Sequence, residues 1–126
     1  MSGRKLLLDS NIVIYLAKKQ LMPDDFILPE DTLFLSDVSY METLGYAFSD
    51  SKEKEATEAL LAVLFRLPIT ESVVQKVVEL RQSHRVKLPD AIIAATALVQ
   101  DCILVTKNVS DFSTLPGLVV LAPAIP

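Results

Sequence analysis

Four carboxylates in this chain stand where acids do chemistry. Asp9 ends the apolar run KLLLD, Glu42 lies in YMETLGYAF, Asp90 opens DAIIAATALVQ, and Asp111 sits in TKNVSDF. Little else in the composition competes with them. One histidine (His84) and one cysteine (Cys102) leave no material for a disulfide or a Cys-based zinc site, and little for a nucleophilic triad. Carboxylate oxygens are hard donors that suit Mg²⁺ or Mn²⁺. Clustered acids repel one another unless a cation sits among them. Two-metal sites of this kind activate water and stabilise both oxygens of an in-line phosphoryl displacement.

Each acid also has a local structural reading. Asp9 can cap the helix that follows it, or meet that helix's positive end. Glu42 falls three residues after Ser39, so SYME fits a capping box. Pro89 and Asp90 are ordinary helix-start signals. Asp111 fits a turn or solvated loop. Asp90 differs in one respect: the segment behind it is apolar on every side, which places its start near the interior, where a charge needs a partner.

The elements that must position these acids follow from the patterning. Strands are expected at 5–9, 33–36, 67–70 and 102–106, with a further one at 118–122. Helices are expected at 10–19, 40–48, 52–66, 71–85 and 90–100, with a Pro- and acid-rich loop over 20–32. Short apolar strands alternating with helices predict an α/β fold: one domain over 1–126, three layers, and a mostly parallel central sheet of about four to five strands. Ligands of such sheets bind beyond the carboxyl ends of the strands, where several of these acids fall.

With 126 residues, 51% of them hydrophobic, the chain has material for a core, and disorder is not expected. No apolar run approaches the roughly 20 residues that span a bilayer. The apolar part of MSGRKLLLDS is too short for a signal peptide, so a cytoplasmic location is expected. A net charge of −4 argues against nucleic-acid binding, but bound divalent cations would reverse the local sign at an acidic cluster.

Four segments, LLLDSNIVIYL, SYMETLGY, LPDAIIAATAL and ILVTKNVSDFSTLPGLVVL, resemble in order and spacing the signature segments of PIN-domain proteins, and look most like VapC-type toxins of toxin–antitoxin pairs. The resemblance covers nearly the whole chain. It implies a Mg²⁺- or Mn²⁺-dependent ribonuclease that cleaves RNA phosphodiesters with metal-activated water. The implied ligands are Asp9, Glu42, Asp90 and an acid in 108–111, with Asn11, Ser10 and Thr106 at supporting polar positions. Many relatives carry an acid where this chain has Asn108; here Asp111 stands three residues on, and either residue could complete the set. The resemblance further implies a homodimer and a small VapB-like antitoxin that blocks the acidic site, with the apolar positions of helices 10–19 and 38–48 as candidate surface.

Among the basic residues Lys18, Lys19, Arg81, Arg85, Lys87 and Lys107, the last lies closest in sequence to the proposed site and is the best candidate for an RNA phosphate contact. His84 reads as a helix-end residue and Cys102 as a buried strand residue. Tyr15, Tyr40, Tyr46 and Phe48 read as core or interface. Two other readings remain. One is a PIN domain without activity that serves as a protein-binding module, supported by neutral Asn108. The other is a haloacid-dehalogenase-type phosphatase, whose D-x-D pattern would need an acid at Asn11.

Overall fold

The computed structural model describes residues 3–125. Five strands form one sheet: β1 (Lys5–Leu8), β2 (Thr32–Ser36), β3 (Phe65–Leu67), β4 (Ile103–Val105) and β5 (Val120–Leu121). Every pairing is parallel, and the strand order is β3-β2-β1-β4-β5. The helices are α1 (Ser10–Ala17), α2 (Asp37–Leu44), α3 (Ser51–Ala62), α4 (Glu71–Ser83) and α5 (Leu88–Gln100), with 3-10 turns at Pro23–Asp25 and Val109–Asp111.

The central strand explains the layering. Leu6, Leu7 and Leu8 are fully buried, because β1 is covered on both faces. Leu7 packs in a cluster with Val73, Val77 and Leu80 of α4 and Ala91, Ile93, Ala94 and Ala97 of α5, closed by Phe112. Leu6 and Leu8 point the other way, to Ile12 and Val13 of α1 and Leu61 of α3. The side-chain alternation of one strand thus divides the core in two, giving the three-layer α/β/α arrangement. α5 is buried through Ala91, Ile93, Ala94, Ala95, Thr96 and Ala97, and these mostly small side chains let it lie close to the sheet.

The fold class is as the sequence predicts, with several boundaries displaced. The helix expected at 40–48 begins at Asp37, directly after β2, and stops at Leu44. Its N-cap is Ser36, whose hydroxyl accepts from the Ser39 N–H at 3.1 Å. Ser39 therefore lies inside the helix, and the capping box with Glu42 does not form. The segment 52–66 divides into α3 and the first residues of β3, so the strand lies at 65–67 rather than 67–70. β3 is an edge strand with exposed Phe65 and Arg66, which hides it from an apolar pattern. Cys102 is buried just ahead of β4, and His84 is the C-cap of α4, both near their expected places.

Among the described residues no buried side-chain nitrogen or oxygen lacks a hydrogen-bond partner. The firmest polar tie joins the start of β1 to β2. The Asp31 side chain, 1% exposed, accepts from Arg4 Nη2 at 2.7 Å, Arg4 Nε at 3.2 Å, Arg4 N at 3.2 Å and Leu28 N at 2.8 Å. The Arg4 guanidinium holds its carboxyl down at about 2. A carboxyl depressed on folding contributes stability above its unfolded value, and loses it as pH falls through the folded one. The difference in Tm between wild type and Asp31→Asn should therefore be full at pH 5 and shrink steadily toward pH 2. A difference that stayed constant over that range would refute the role given to this ion pair.

Candidate active site

The strand order reverses at β1, whose neighbours are β2 on one side and β4 on the other. At such a switch point the loops leave in opposite directions and open a crevice at the carboxyl edge. Asp9 follows β1 and Thr106 follows β4, so both lie at that crevice.

Asp9 is 6% exposed and caps α1. Its Oδ1 accepts from the Ser10 N–H at 2.8 Å. Its Oδ2 accepts from Thr106 Oγ1 at 2.7 Å and Asn11 Nδ2 at 3.3 Å. The capping expectation and the site expectation thus meet in one carboxylate. Burial pushes the Asp9 carboxyl up, the Thr106 and Ser10 hydrogen bonds pull it back, and the charge of Glu42 pushes it up again. Around it runs a connected set of bonds. Thr106 Oγ1 accepts from the Asn108 N–H at 3.0 Å, and Asn11 Oδ1 accepts from the Lys107 N–H at 3.2 Å. Ser10 Oγ donates to Glu42 Oε1 at 2.5 Å, carrying the network from α1 to α2.

Asp90, in the first turn of α5, and Asp111 line one cleft of about 280 Å³ together with Arg85, Val86, Lys87, Ser110 and Thr114. Asp90 is half-buried and Asp111 exposed. Burial raises the Asp90 carboxyl, and the charges of Asp111, Asp9 and Glu42 add to the rise, while Lys87 opposes it. All four acids therefore share one electrostatic field. Hydrogen bonds join Glu42 to Asp9 through Ser10, whereas Asp90 and Asp111 meet the others through charge alone. A larger depression of about 800 Å³ over the end of α4, lined by Val77, Arg81, His84 and others, contains no acid and is not where this chemistry would occur.

The carboxyl raised at Asp90 carries a consequence. Its charged form is disfavoured in the folded state, a penalty absent below the unfolded value near 3.8 and fully present above the folded one. In EDTA at pH 7, Asp90→Asn should melt at a higher temperature than wild type, with the two converging below pH 4. A lower Tm at pH 7 would contradict the like-charge field.

The donor set fits a hard divalent cation in kind: four carboxylates, flanked by hydroxyl and amide oxygens, with mutual repulsion that a cation would relieve. Among the described residues no three His, Cys, Asp or Glu side chains are close enough to clasp a single ion. Ser10 holds Glu42, and Asp90 and Asp111 stand apart in their cleft, so enclosing an ion would require side-chain rotation on a fixed backbone.

A PIN domain profile matches residues 6–118 of the chain. The chain belongs to the PIN-domain family. No curated protein matches it. Among solved structures, a chain of a toxin–antitoxin complex from Klebsiella pneumoniae is 32% identical, with a TM-score of 0.75 over 96% of this chain and 99% of that one. A chain of VapBC-1 from nontypeable Haemophilus influenzae is 27% identical, with a TM-score of 0.76 over 94% and 97%. A chain of VapBC2 from Rickettsia felis, bound to a promoter DNA fragment, shares the fold at 18% identity and a TM-score of 0.82, over 95% and 99%. The VapC-type resemblance thus holds for the PIN domain as a whole.

One residue at this candidate site makes a contact that the sequence reading does not anticipate. Tyr15, expected in the core or an interface, places its hydroxyl 2.6 Å from Lys107 Nζ at the rim of the Asp9 network. Its position four residues after Asn11 is the available signal, since i and i+4 share a helix face.

Among the described residues no helix is long and apolar enough to cross a membrane.

Proposed function

We propose that this PIN-domain chain is a divalent-metal-dependent endoribonuclease, the toxin of a toxin–antitoxin pair. The observation that carries the reading is the buried Asp9 carboxylate at the sheet's switch point, hydrogen-bonded by Thr106, Ser10 and Asn11 and sharing its field with three further acids. Asp9, Glu42, Asp90 and Asp111 would hold Mg²⁺ or Mn²⁺, with Asn108 assisting. When bound, the cation activates water and offsets charge on the phosphoryl oxygens in the transition state.

The chain's own groups prepare that chemistry. Thr106 and Ser10 orient the two Asp9 oxygens before substrate arrives, so less ordering is left for the reaction itself. Ser10 fixes Glu42 toward the same edge. The apolar body of α5 mounts Asp90 on a rigid element. Lys87 and Arg85, at the cleft of Asp90 and Asp111, offset negative charge as RNA approaches.

The similar chains come from toxin–antitoxin complexes, and on that basis a small VapB-like antitoxin, a homodimer and a cytoplasmic setting belong to the same proposal. The purified chain should cleave RNA with Mg²⁺ or Mn²⁺, stop in EDTA and resume on metal addition. Expression without the adjacent gene's product should arrest growth. Cleavage that continued in EDTA would overturn the reading. A protein-binding module without activity is the second reading, favoured by the separation of the acids and by neutral Asn108; failure to cleave RNA alongside retained antitoxin binding would support it.

A further inference from the structure

A cation next in sequence to the Asp9 network is not paired with any acid. Among the described residues, Lys107 takes part in no salt bridge, although it follows Thr106, the residue that donates to Asp9. Its ammonium donates to the Tyr15 hydroxyl at 2.6 Å and lies 5.1 Å from the centre of the Tyr15 ring. Its backbone N–H is held by Asn11 Oδ1 at 3.2 Å. Both ends of the residue are thus tied to one face of α1, the helix that Asp9 caps.

The ammonium of Lys107 is bonded to a phenol and not to a carboxylate. Holding it on a phenol keeps its charge whole, since a neutral partner compensates none of it. A phenol hydroxyl uses one of the three ammonium hydrogens and leaves two for an incoming ligand. Lys107 is exposed, whereas Tyr15 is half-buried and packs against the cluster of Leu6, Ile12 and Leu35, so the support is rigid and the charge accessible.

We infer that Tyr15 is a positioning residue that holds Lys107 away from the acids as a clamp for an RNA phosphate next to the one cleaved. The inference rests on the ribonuclease reading for the identity of the ligand. It accounts for how an acidic protein presents positive charge to RNA at the edge of its most acidic crevice.

The test measures binding and turnover separately. A fluorescent single-stranded RNA is titrated in Mg²⁺ against an Asp9→Asn background, over a series of salt concentrations, and KM and kcat are measured in the otherwise wild-type chain. Lys107→Ala should weaken binding by about 5- to 10-fold and flatten the salt slope by about 0.7, the loss of one single-strand phosphate contact. KM should rise with kcat within about 2-fold. Lys107→Arg should restore most of the affinity. Tyr15→Leu, which keeps apolar packing, should raise KM about 3-fold or more, and Tyr15→Phe, which removes only the hydroxyl that the ammonium donates to, should raise it similarly. If Lys107→Ala leaves KM and the salt slope unchanged while wild type cleaves, this inference falls and the ribonuclease reading stands. If wild type binds RNA without cleaving and Lys107→Ala weakens that binding, Lys107 stands as an RNA phosphate contact, while its place beside a cleaved phosphate falls with the nuclease reading. If wild type binds no RNA, both are overturned.

Discussion

Asp9→Asn should lower metal-dependent RNA cleavage by about 10²- to 10³-fold, the scale of removing one preorganised charge-stabilising group, while the chain remains folded. Asparagine keeps the shape of the side chain and one acceptor oxygen. If that oxygen stays on the Ser10 N–H, the new amide faces Thr106, whose hydroxyl can rotate to accept while it still accepts from Asn108. The site loses its charge, and the Thr106 hydroxyl hydrogen and Asn11 Nδ2 lose Asp9 Oδ2 as their acceptor. Burial and Glu42 both disfavour the charged Asp9, so neutralising it also removes a penalty. The lost acceptor and the relieved charge penalty oppose each other, so circular dichroism in EDTA should match wild type with Tm changed by only a few degrees, while Mn²⁺ affinity by calorimetry falls. A variant keeping more than about a third of the activity would remove Asp9 from the centre of the mechanism, since a group that contributes to the transition state costs far more than that.

Thr106→Val carries the second large effect, through a residue with no charge. Valine reproduces the volume of threonine and removes one hydroxyl. That hydroxyl donates to Asp9 Oδ2 at 2.7 Å and accepts from the Asn108 N–H at 3.0 Å. Its loss leaves a buried carboxylate with only the longer Asn11 bond on that oxygen. Stability should fall by about 1–3 kcal/mol, the range for a buried polar group deprived of a partner. Cation affinity or turnover should fall by about 10- to 100-fold, as when a group that orients a metal ligand is removed. The pH dependence separates these effects. The Thr106 hydrogen bond pulls the Asp9 carboxyl down, so without it the proton leaves at higher pH. If the ionised form is the working one, the acid limb of the rate profile moves upward. Thr106→Ser should restore it. An acid limb in the same place as wild type would show that Thr106 supports the loop and not the carboxylate.

The parts of this site legible in the sequence are those set by single elements. KLLLD reads as a buried strand with its acid at the carboxyl end, and it folds that way because both faces of β1 meet helices. The greasy segment behind Asp90 reads as a buried helix for a similar reason. Glu42 shows where local reasoning goes astray. The spacing Ser39-x-x-Glu42 satisfies a capping box, but β2 delivers Ser36 to the cap position first and the helix begins three residues earlier. The glutamate is thereby released from backbone duty and turned toward Ser10. Tyr15 packs on the core as an aromatic in an apolar helix should, and only its partner across the fold, Lys107, reveals the second role of its hydroxyl. The shared field of Asp90 and Asp111 with Asp9 is illegible locally because it depends on the order β3-β2-β1-β4-β5, which the pairing of distant strands decides.

The central claim is that the acids around Asp9 serve a divalent cation, and anomalous diffraction from crystals grown with Mn²⁺ tests it most directly. The account predicts a manganese peak at the carboxyl edge between β1 and β4, with carboxylate oxygens of Asp9 and Asp90 within about 2.0–2.3 Å, the range typical of small divalent cations on oxygen donors, and with Glu42 or Asp111 turned toward it. At saturating Mn²⁺, a peak elsewhere on the molecule, or none at that edge, would contradict it.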